Sequence, residues 1–148
     1  MANALFDKGR EKFLRGEISW NNDKIGVILV ATGTGSDQYE VNLAVHEYLE
    51  DIPVAARVAL LEANTVDPKE LTGKTTTAGV ADANDIKFEE VTGNEVGALV
   101  LYVHEDTDTE TTSRLIAYID TAIGIPVIPN GGDIHVEWDD GANKIFKL

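Results

Sequence analysis

Two stretches of the chain are apolar at nearly every position, and both are rich in β-branched residues. Residues 24–31 lie between an Asn-Asn-Asp turn and a Gly-rich loop, and residues 96–103 follow a Thr-Gly-Asn turn signal. Runs of this kind are typical of β-strands. Because they offer apolar side chains to both sides, we predict that the two strands occupy the centre of a sheet or lie beneath another subunit.

Strict alternation of apolar and polar residues marks a third segment, 133–139. Ile134, Val136 and Trp138 would share one face of a strand there, with charged and polar residues on the other face. Five shorter strands are also predicted: 57–61, 74–80, 86–91, 114–119 and 144–148. The segment 74–80 is rich in threonine and is expected at the edge of a sheet.

Short strands separated by Gly-rich turns are typical of antiparallel architectures. A parallel βαβ sheet would need helical crossovers of about a dozen residues, and no helical period is found after residue 51. We therefore predict a mainly β fold, an antiparallel β-sandwich or barrel of the jelly-roll type with a short N-terminal α-helix, in a single domain spanning residues 1–148.

The N-terminal segment follows a helical period instead. Its apolar positions form one stripe at about 100° per residue, which predicts an amphipathic helix over residues 4–15. Asn3 is the expected N-cap and Gly16 the expected C-terminal stop. Residues 42–51 are the one other segment with helical character, which would have to end before Pro53.

Charge divides the chain into two parts. The 148 residues contain 26 acidic and 12 basic side chains, a net charge of −14, and no cysteine. Residues 2–24 hold five basic and four acidic groups, so nearly all the negative charge belongs to the predicted β body. An acidic chain is repelled by nucleic acid and by anionic membranes, and we expect neither as a partner. The lack of cysteine excludes thiol nucleophiles, disulfides and thiolate zinc sites.

Three motif-like stretches fall short of a catalytic or nucleotide-binding signature. Residues 73–75 end like a phosphate-binding loop, but Pro68 stands where that loop needs glycine. Residues 33–38 lack the third glycine of a dinucleotide loop, and His46 has Glu50 where a metalloprotease helix needs its second histidine. We expect no catalytic residue, no cofactor and no enzymatic activity.

An acidic cluster between two predicted strands is the remaining candidate for chemistry. Asp106, Asp108 and Glu110 stand at alternate positions, as ligands do at the start of calcium loops, but Thr111 and Ala117 occupy positions that need Gly and Glu. A solvated loop is the preferred interpretation, with a divalent-ion site as the alternative. We assign no metal site.

The chain resembles a family of small tailed-bacteriophage structural proteins. The similarity covers most of the sequence and rests on long stretches: 1–14, 16–20, 24–30, 41–52, 71–82, 126–139 and 141–148. It implies a non-enzymatic virion protein, made in the host cytoplasm, that decorates or cements the outside of the capsid shell. A subunit of the head–tail junction, collar or tail is the alternative. The implied partners are the major capsid protein or other virion subunits, and further copies of the chain, with a trimer favoured.

The resemblance and the apolar stripe together suggest where the protein docks. We expect residues 1–16 to act as an N-terminal helical anchor, with its interface formed by Leu5, Phe6, Phe13, Leu14 and Trp20. A hypothesis from a different class is a glycan-binding or glycan-hydrolysing β-sandwich that uses some of the 26 carboxylates.

Overall fold

The computed structural model describes residues 3–59, 70–105 and 110–148. These residues form nine short strands, one α-helix and three 3-10 helices. The helix, α1, is Asp7–Leu14, and the 3-10 helices are Leu49–Asp51, Val54–Ala56 and Thr77–Gly79. The strands are β1 (Ala4–Leu5), β2 (Ile25–Val30), β3 (Arg57–Ala59), β4 (Val80–Ala81), β5 (Ile86–Phe88), β6 (Ala98–Val103), β7 (Leu115–Ile119), β8 (Ile134–Val136) and β9 (Phe146–Lys147).

Five of the strands form an antiparallel sheet in the order β1–β7–β6–β2–β3. The two continuous apolar runs lie side by side near its centre, with Ile25 of β2 opposite Val103 of β6 and Val30 opposite Ala98. Every residue of β2, β6 and β7 is buried. The predicted central position of the two apolar strands is therefore confirmed.

Each face of this sheet has its own hydrophobic cluster. Alternate residues of the central strands, such as Val27 and Leu101, face a large cluster that includes both tryptophans. The intervening residues, such as Ile28 and Val100, face a smaller cluster. The smaller cluster is closed by side chains from the segment between β2 and β3: Tyr39, Leu49, Ile52 and Ala56.

The larger cluster is covered by two antiparallel ribbons, β4–β9 and β5–β8. The alternation predicted for residues 133–139 is confirmed, since Ile134, Val136 and Trp138 are buried while the residues between them are exposed. The sheet and the ribbons make two β layers, and no closed barrel is present among the described residues. The protein is thus mainly β, with antiparallel sheets and one short N-terminal helix, as predicted.

The predicted start of the N-terminal helix was wrong. Ala4 and Leu5 are extended and pair with Tyr118 and Ala117 of β7, so the helix begins only at Asp7. Asn3 does not cap it. The Asn3 side-chain oxygen instead accepts a hydrogen bond from the Thr121 hydroxyl at 2.7 Å, next to the end of β7.

The predicted end of the helix is confirmed. Gly16 has a positive φ of 74°, a conformation that glycine adopts without steric cost. Its N–H bonds the carbonyl of Phe13, and the N–H of Glu17 bonds the carbonyl of Lys12. This pair of hydrogen bonds is the Schellman motif that closes many helices.

Two further expectations need correction. Residues 74–80 do not form an edge strand, because the left-handed conformations of Ala78 and Gly79 interrupt the extended backbone before β4. Residues 42–51 contain only a 3-10 helix. The N–H groups of Leu49 and Glu50 bond the distant carbonyls of Ser113 and Glu110, so they do not support an α-helix.

Helix α1 packs against β7 through its glycine. A β-carbon added at Gly9 would lie 2.8 Å from the carbonyl oxygen of Leu115 and 3.2 Å from that of Ile116. β1 thus pairs with Ala117 and Tyr118 of β7, and α1 packs against the two residues that precede them in the same strand. The N–H of Phe6, which bonds the carbonyl of Ile116, marks the junction.

We predict that Gly9→Ala destabilises the protein by about 1–3 kcal/mol, because the new methyl group would push α1 away from the backbone of β7. Alanine has the higher helix propensity, so a change in the other direction would contradict the close packing. Urea unfolding measures the effect. Lys8→Ala, on the neighbouring and less buried helix position, serves as the control and should change stability by no more than about 0.5 kcal/mol.

Candidate docking surface

Three of the five predicted interface residues are buried in the protein's own core. Phe6 is inaccessible, and Leu5 and Trp20 retain only 7% and 4% of their exposure. The Trp20 indole N–H also donates to the carbonyl of Asp82 at 3.2 Å. Phe6 and Trp20 stabilise the fold and have almost no surface to offer a partner, which corrects their assignment, whereas the small exposed part of Leu5 lies at the groove described below.

The other two predicted residues, Phe13 and Leu14, lie at the end of α1. Leu14 is 90% exposed, and Phe13 is partly buried. The Phe13 ring contacts the ring of Phe146 in β9, with 5.9 Å between ring centroids. Phe146 in turn meets Trp20 edge-on at 5.2 Å. Trp20 therefore supports this surface from beneath.

An apolar groove lies between α1 and β9. It has a volume of about 390 Å3, and it is lined by Leu5, Arg10, Phe13, Leu14, Lys147 and Leu148. A second depression of about 370 Å3 shares Leu5, Arg10 and Lys147 with it and runs between β1 and the segment before β9. We call the two together the α1–β9 groove. A third depression, which shares Lys144 and Asp139 with the second, continues to Ile123.

Large exposed apolar side chains concentrate along this path. Among the described residues six are markedly exposed, and three of them, Leu14, Leu148 and Ile123, line these adjoining depressions. Single exposed apolar residues are ordinary, whereas a contiguous group marks an interaction surface. Leu14 and Leu148 share one depression, which makes the end of α1 a candidate surface for binding.

The groove is basic on a strongly acidic protein. Arg10, Lys144 and Lys147 line it against one carboxylate, that of Asp139. Arg10 pairs with Asp7 at 3.2 Å on the exposed helix surface, and Lys144 is 3.6 Å from the fully exposed Asp140. The exposed Lys147 makes no ion pair within the described part of the chain.

Sequence reasoning did not find Lys144, Lys147 and Leu148 as parts of this surface. Residues 141–148 contain two lysines and no acidic residue, within a body that was assigned the negative charge. That local reversal of charge is the signal that could have identified them. Their proximity to Arg10 depends on the fold and has no counterpart in the sequence.

A partly buried ion pair holds α1 in place. The Lys12 side chain, of which only 7% is exposed, pairs with the carboxylate of Glu47 and lies 5.2 Å from the centre of the Tyr48 ring. The hydrogen bond from Lys12 lowers the pKa of Glu47 below its ordinary value of 4.5. The helix is thus fastened to the segment that covers the smaller core cluster.

Of the three carboxylates in the acidic cluster, Glu110 alone lies among the described residues. Asp106 and Asp108 lie outside the described residues, and the carboxylate of Glu110 pairs with Arg57. Within the described ranges, no group of three or more His, Asp or Glu side chains is placed to hold a metal ion.

A separate polar depression of about 520 Å3 contains three carboxylates: Asp37, Glu95 and Asp120. The Asp37 carboxylate accepts a hydrogen bond from the Asn94 amide at 2.8 Å. None of the described residues that line this depression is aromatic, although sugar rings commonly stack on aromatic side chains. The depression therefore does not favour the glycan hypothesis.

The three histidines are not brought together in one site. His46 bonds the hydroxyl of the buried Tyr39, with 2.7 Å between the hydroxyl oxygen and Nδ1. The ring of His104 contacts Tyr102 edge-on, and His135 is exposed on β8.

No protein-family model matches the chain, and no curated protein matches it either. None of the helices in the described residues is long and apolar enough to be a candidate membrane span.

We predict that Glu47→Gln lowers the free energy of unfolding at neutral pH by about 1–2 kcal/mol, because it leaves the buried Lys12 without its counter-charge. The lowered pKa of Glu47 means that the pair stabilises the fold above pH 4.5. This contribution is lost as the pH falls through the pKa of the folded state.

Urea unfolding of the wild type and the variant measures this difference at each pH. The difference should hold from neutral pH down to about pH 4.5 and shrink as the pH falls further, through the lowered pKa of Glu47 in the folded state. Glu137→Gln, at an exposed position, is the matched control. An unchanged difference at the lower pH would contradict the role of the ion pair.

Proposed function

We propose that this chain is a non-enzymatic structural protein of a tailed bacteriophage that decorates and cements the outside of the capsid shell. The observation that carries the proposal is the exposed α1–β9 groove on a body whose core is otherwise closed. The resemblance to small tailed-bacteriophage structural proteins supports the same function.

The closed core supports binding as a preformed unit. Both faces of the central sheet are covered by the chain itself, and the exposed Leu14 and Leu148 of the groove belong to neither core cluster. A cement protein of this kind binds only the assembled shell and stabilises it by mass action. Further copies around a symmetric site, with a trimer favoured, would present the same groove to each subunit of the lattice.

The distribution of charge supports an outward-facing body. With a net charge of −14, many copies side by side repel one another and remain soluble. The basic groove would face the shell, and the acidic remainder would face solvent.

The proposal has one close alternative, a subunit of the head–tail junction, collar or tail. The number of copies in each virion separates a junction or collar subunit from a shell subunit, because a shell-wide lattice or a tail tube needs hundreds of copies whereas a junction needs about a dozen or fewer. Quantitative mass spectrometry of purified virions measures this number. We expect hundreds, and a dozen would replace capsid decoration with a junction role. Binding to undecorated shells separates the shell from the tail. The glycan hypothesis stays a prediction that no described residue favours.

We predict that Leu14→Ser weakens binding to undecorated shells about tenfold or more, because it removes an exposed apolar side chain from the groove without changing the core. Co-sedimentation of purified protein with shells that lack it measures the binding. Deletion of residues 1–16 is unsuitable as a test, since it would remove Leu5 and Phe6 from the core.

Val54→Ser is the matched control, because Val54 is 67% exposed but does not line the groove. It should bind as the wild type does. Equal binding by the Leu14→Ser protein would show that the shell contacts another surface, and a wild-type protein that binds no shell would refute the proposed function.

A further inference from the structure

We infer that the α1–β9 groove receives an extended acidic segment of the partner protein, with an apolar side chain of that segment seated beside Leu14 and its carboxylates placed against Arg10, Lys144 and Lys147. The inference deepens the proposed function and rests on it, because it states the chemistry of the surface to which the protein docks.

The apolar end of the groove determines the anchor. Phe13, Leu14 and Leu148 line it together, and two of these side chains are mostly exposed, at 90% for Leu14 and 62% for Leu148. Phe13 is supported by the aromatic contacts to Phe146 and Trp20. A leucine-sized or phenylalanine-sized side chain would therefore meet a firm apolar wall, as anchor residues do in groove recognition.

The charge of the neighbouring part determines the flanking residues. Three cations line the groove, and their only carboxylate neighbour in its lining is Asp139. Arg10 and Lys144 have weak, exposed carboxylate partners within the chain, whereas Lys147 has none in the described ranges. A partner carboxylate would complement Lys147 directly and would compete with the exposed partners of Arg10 and Lys144, whereas the acidic surface elsewhere would repel it.

The shape of the groove favours an extended segment. The two depressions that form it are contiguous and lie between β1 and the residues around β9. β1 is the edge strand of the five-stranded sheet. Sheet edges carry unpaired backbone groups and are the usual place for an added extended segment.

The probe for the test is the fluorescein-labelled peptide Glu-Asp-Glu-Leu-Leu-Glu-Asp-Glu, which places acids on both sides of an apolar pair so that either chain direction fits. In one control peptide glutamine replaces all the acids, and in the other serine replaces both leucines. Fluorescence anisotropy with the full-length protein at about physiological ionic strength, where the repulsion from distant acidic surface is screened, should show that the parent peptide binds at least about tenfold more tightly than either control.

Two variants locate the binding in the groove. Leu14→Ser and Lys147→Glu should each weaken binding of the parent peptide about tenfold. Both positions are exposed, so the fold is retained. Val54→Ser and Lys87→Glu, which change matched exposed residues outside the groove, should bind like the wild type.

Several results would overturn the inference. Binding of the glutamine peptide as tight as that of the parent peptide is one such result, and wild-type affinity of the two groove variants is another. Sedimentation velocity gives a third test, because a wild-type oligomer that Leu14→Ser converts to monomer would identify a second copy of the chain as the occupant. Shell binding that persists without peptide binding would refute only this inference, whereas peptide binding by a protein that binds no shell would refute only the proposed function.

Discussion

Burial of the central strands on both faces is the constraint on which the rest of the structure depends. β2, β6 and β7 are buried throughout, and each Å2 of apolar surface removed from water contributes about 25 cal/mol to stability. That gain requires a cover on each side of the sheet. The segment between β2 and β3 provides one cover, and the two ribbons provide the other. The exposed edge of β7 needs a third element, which explains why β1 and α1 follow one another along the same strand.

The covers have little regular secondary structure, so side-chain donors attach them to the body. Arg57 at the start of β3 donates from Nη2 to the carbonyls of Leu49 and Ile52, at 2.9 and 2.7 Å. On the opposite face the Trp138 indole N–H donates to the carbonyl of Asn84 at 2.9 Å, much as Trp20 does to Asp82. The carbonyls of Leu49 and Asp82 also accept a backbone N–H, from Ile52 and Thr75 respectively, so these side-chain donors add to the backbone hydrogen bonds of the covers. The large side chains thus complete the core and fix the irregular segments at once.

Much of the β structure can be predicted from the sequence, because the burial of a strand determines the order of its apolar residues. The runs at 24–31 and 96–103 are apolar at nearly every position and are buried on both faces, whereas the residues around Val136 alternate and are buried on one. A strand of two residues is too short to show either pattern, and the residues of β1 therefore fit the helical stripe. Apolar periodicity also does not distinguish a residue facing its own core from one facing a partner. Phe6 and Leu14 both appeared as interface residues for this reason, although only Leu14 is exposed. The cations of the groove were missed because Arg10 and Lys147 become neighbours only when β9 packs beside α1.

Under the proposed function, the specificity of the docking surface comes from these basic side chains, which are distant in the sequence and which the fold brings together. The chain carries 26 acidic side chains against 12 basic ones, so an approaching acidic partner is repelled over most of the surface. Attraction is concentrated where Arg10, Lys144 and Lys147 meet the apolar side chains of α1. The orientation of the partner would then depend on repulsion by the acidic surface in incorrect orientations as much as on contacts with the groove in the correct one. Under the proposed function, moderate apolar contacts would suffice, because many weakly held copies together would stabilise a shell.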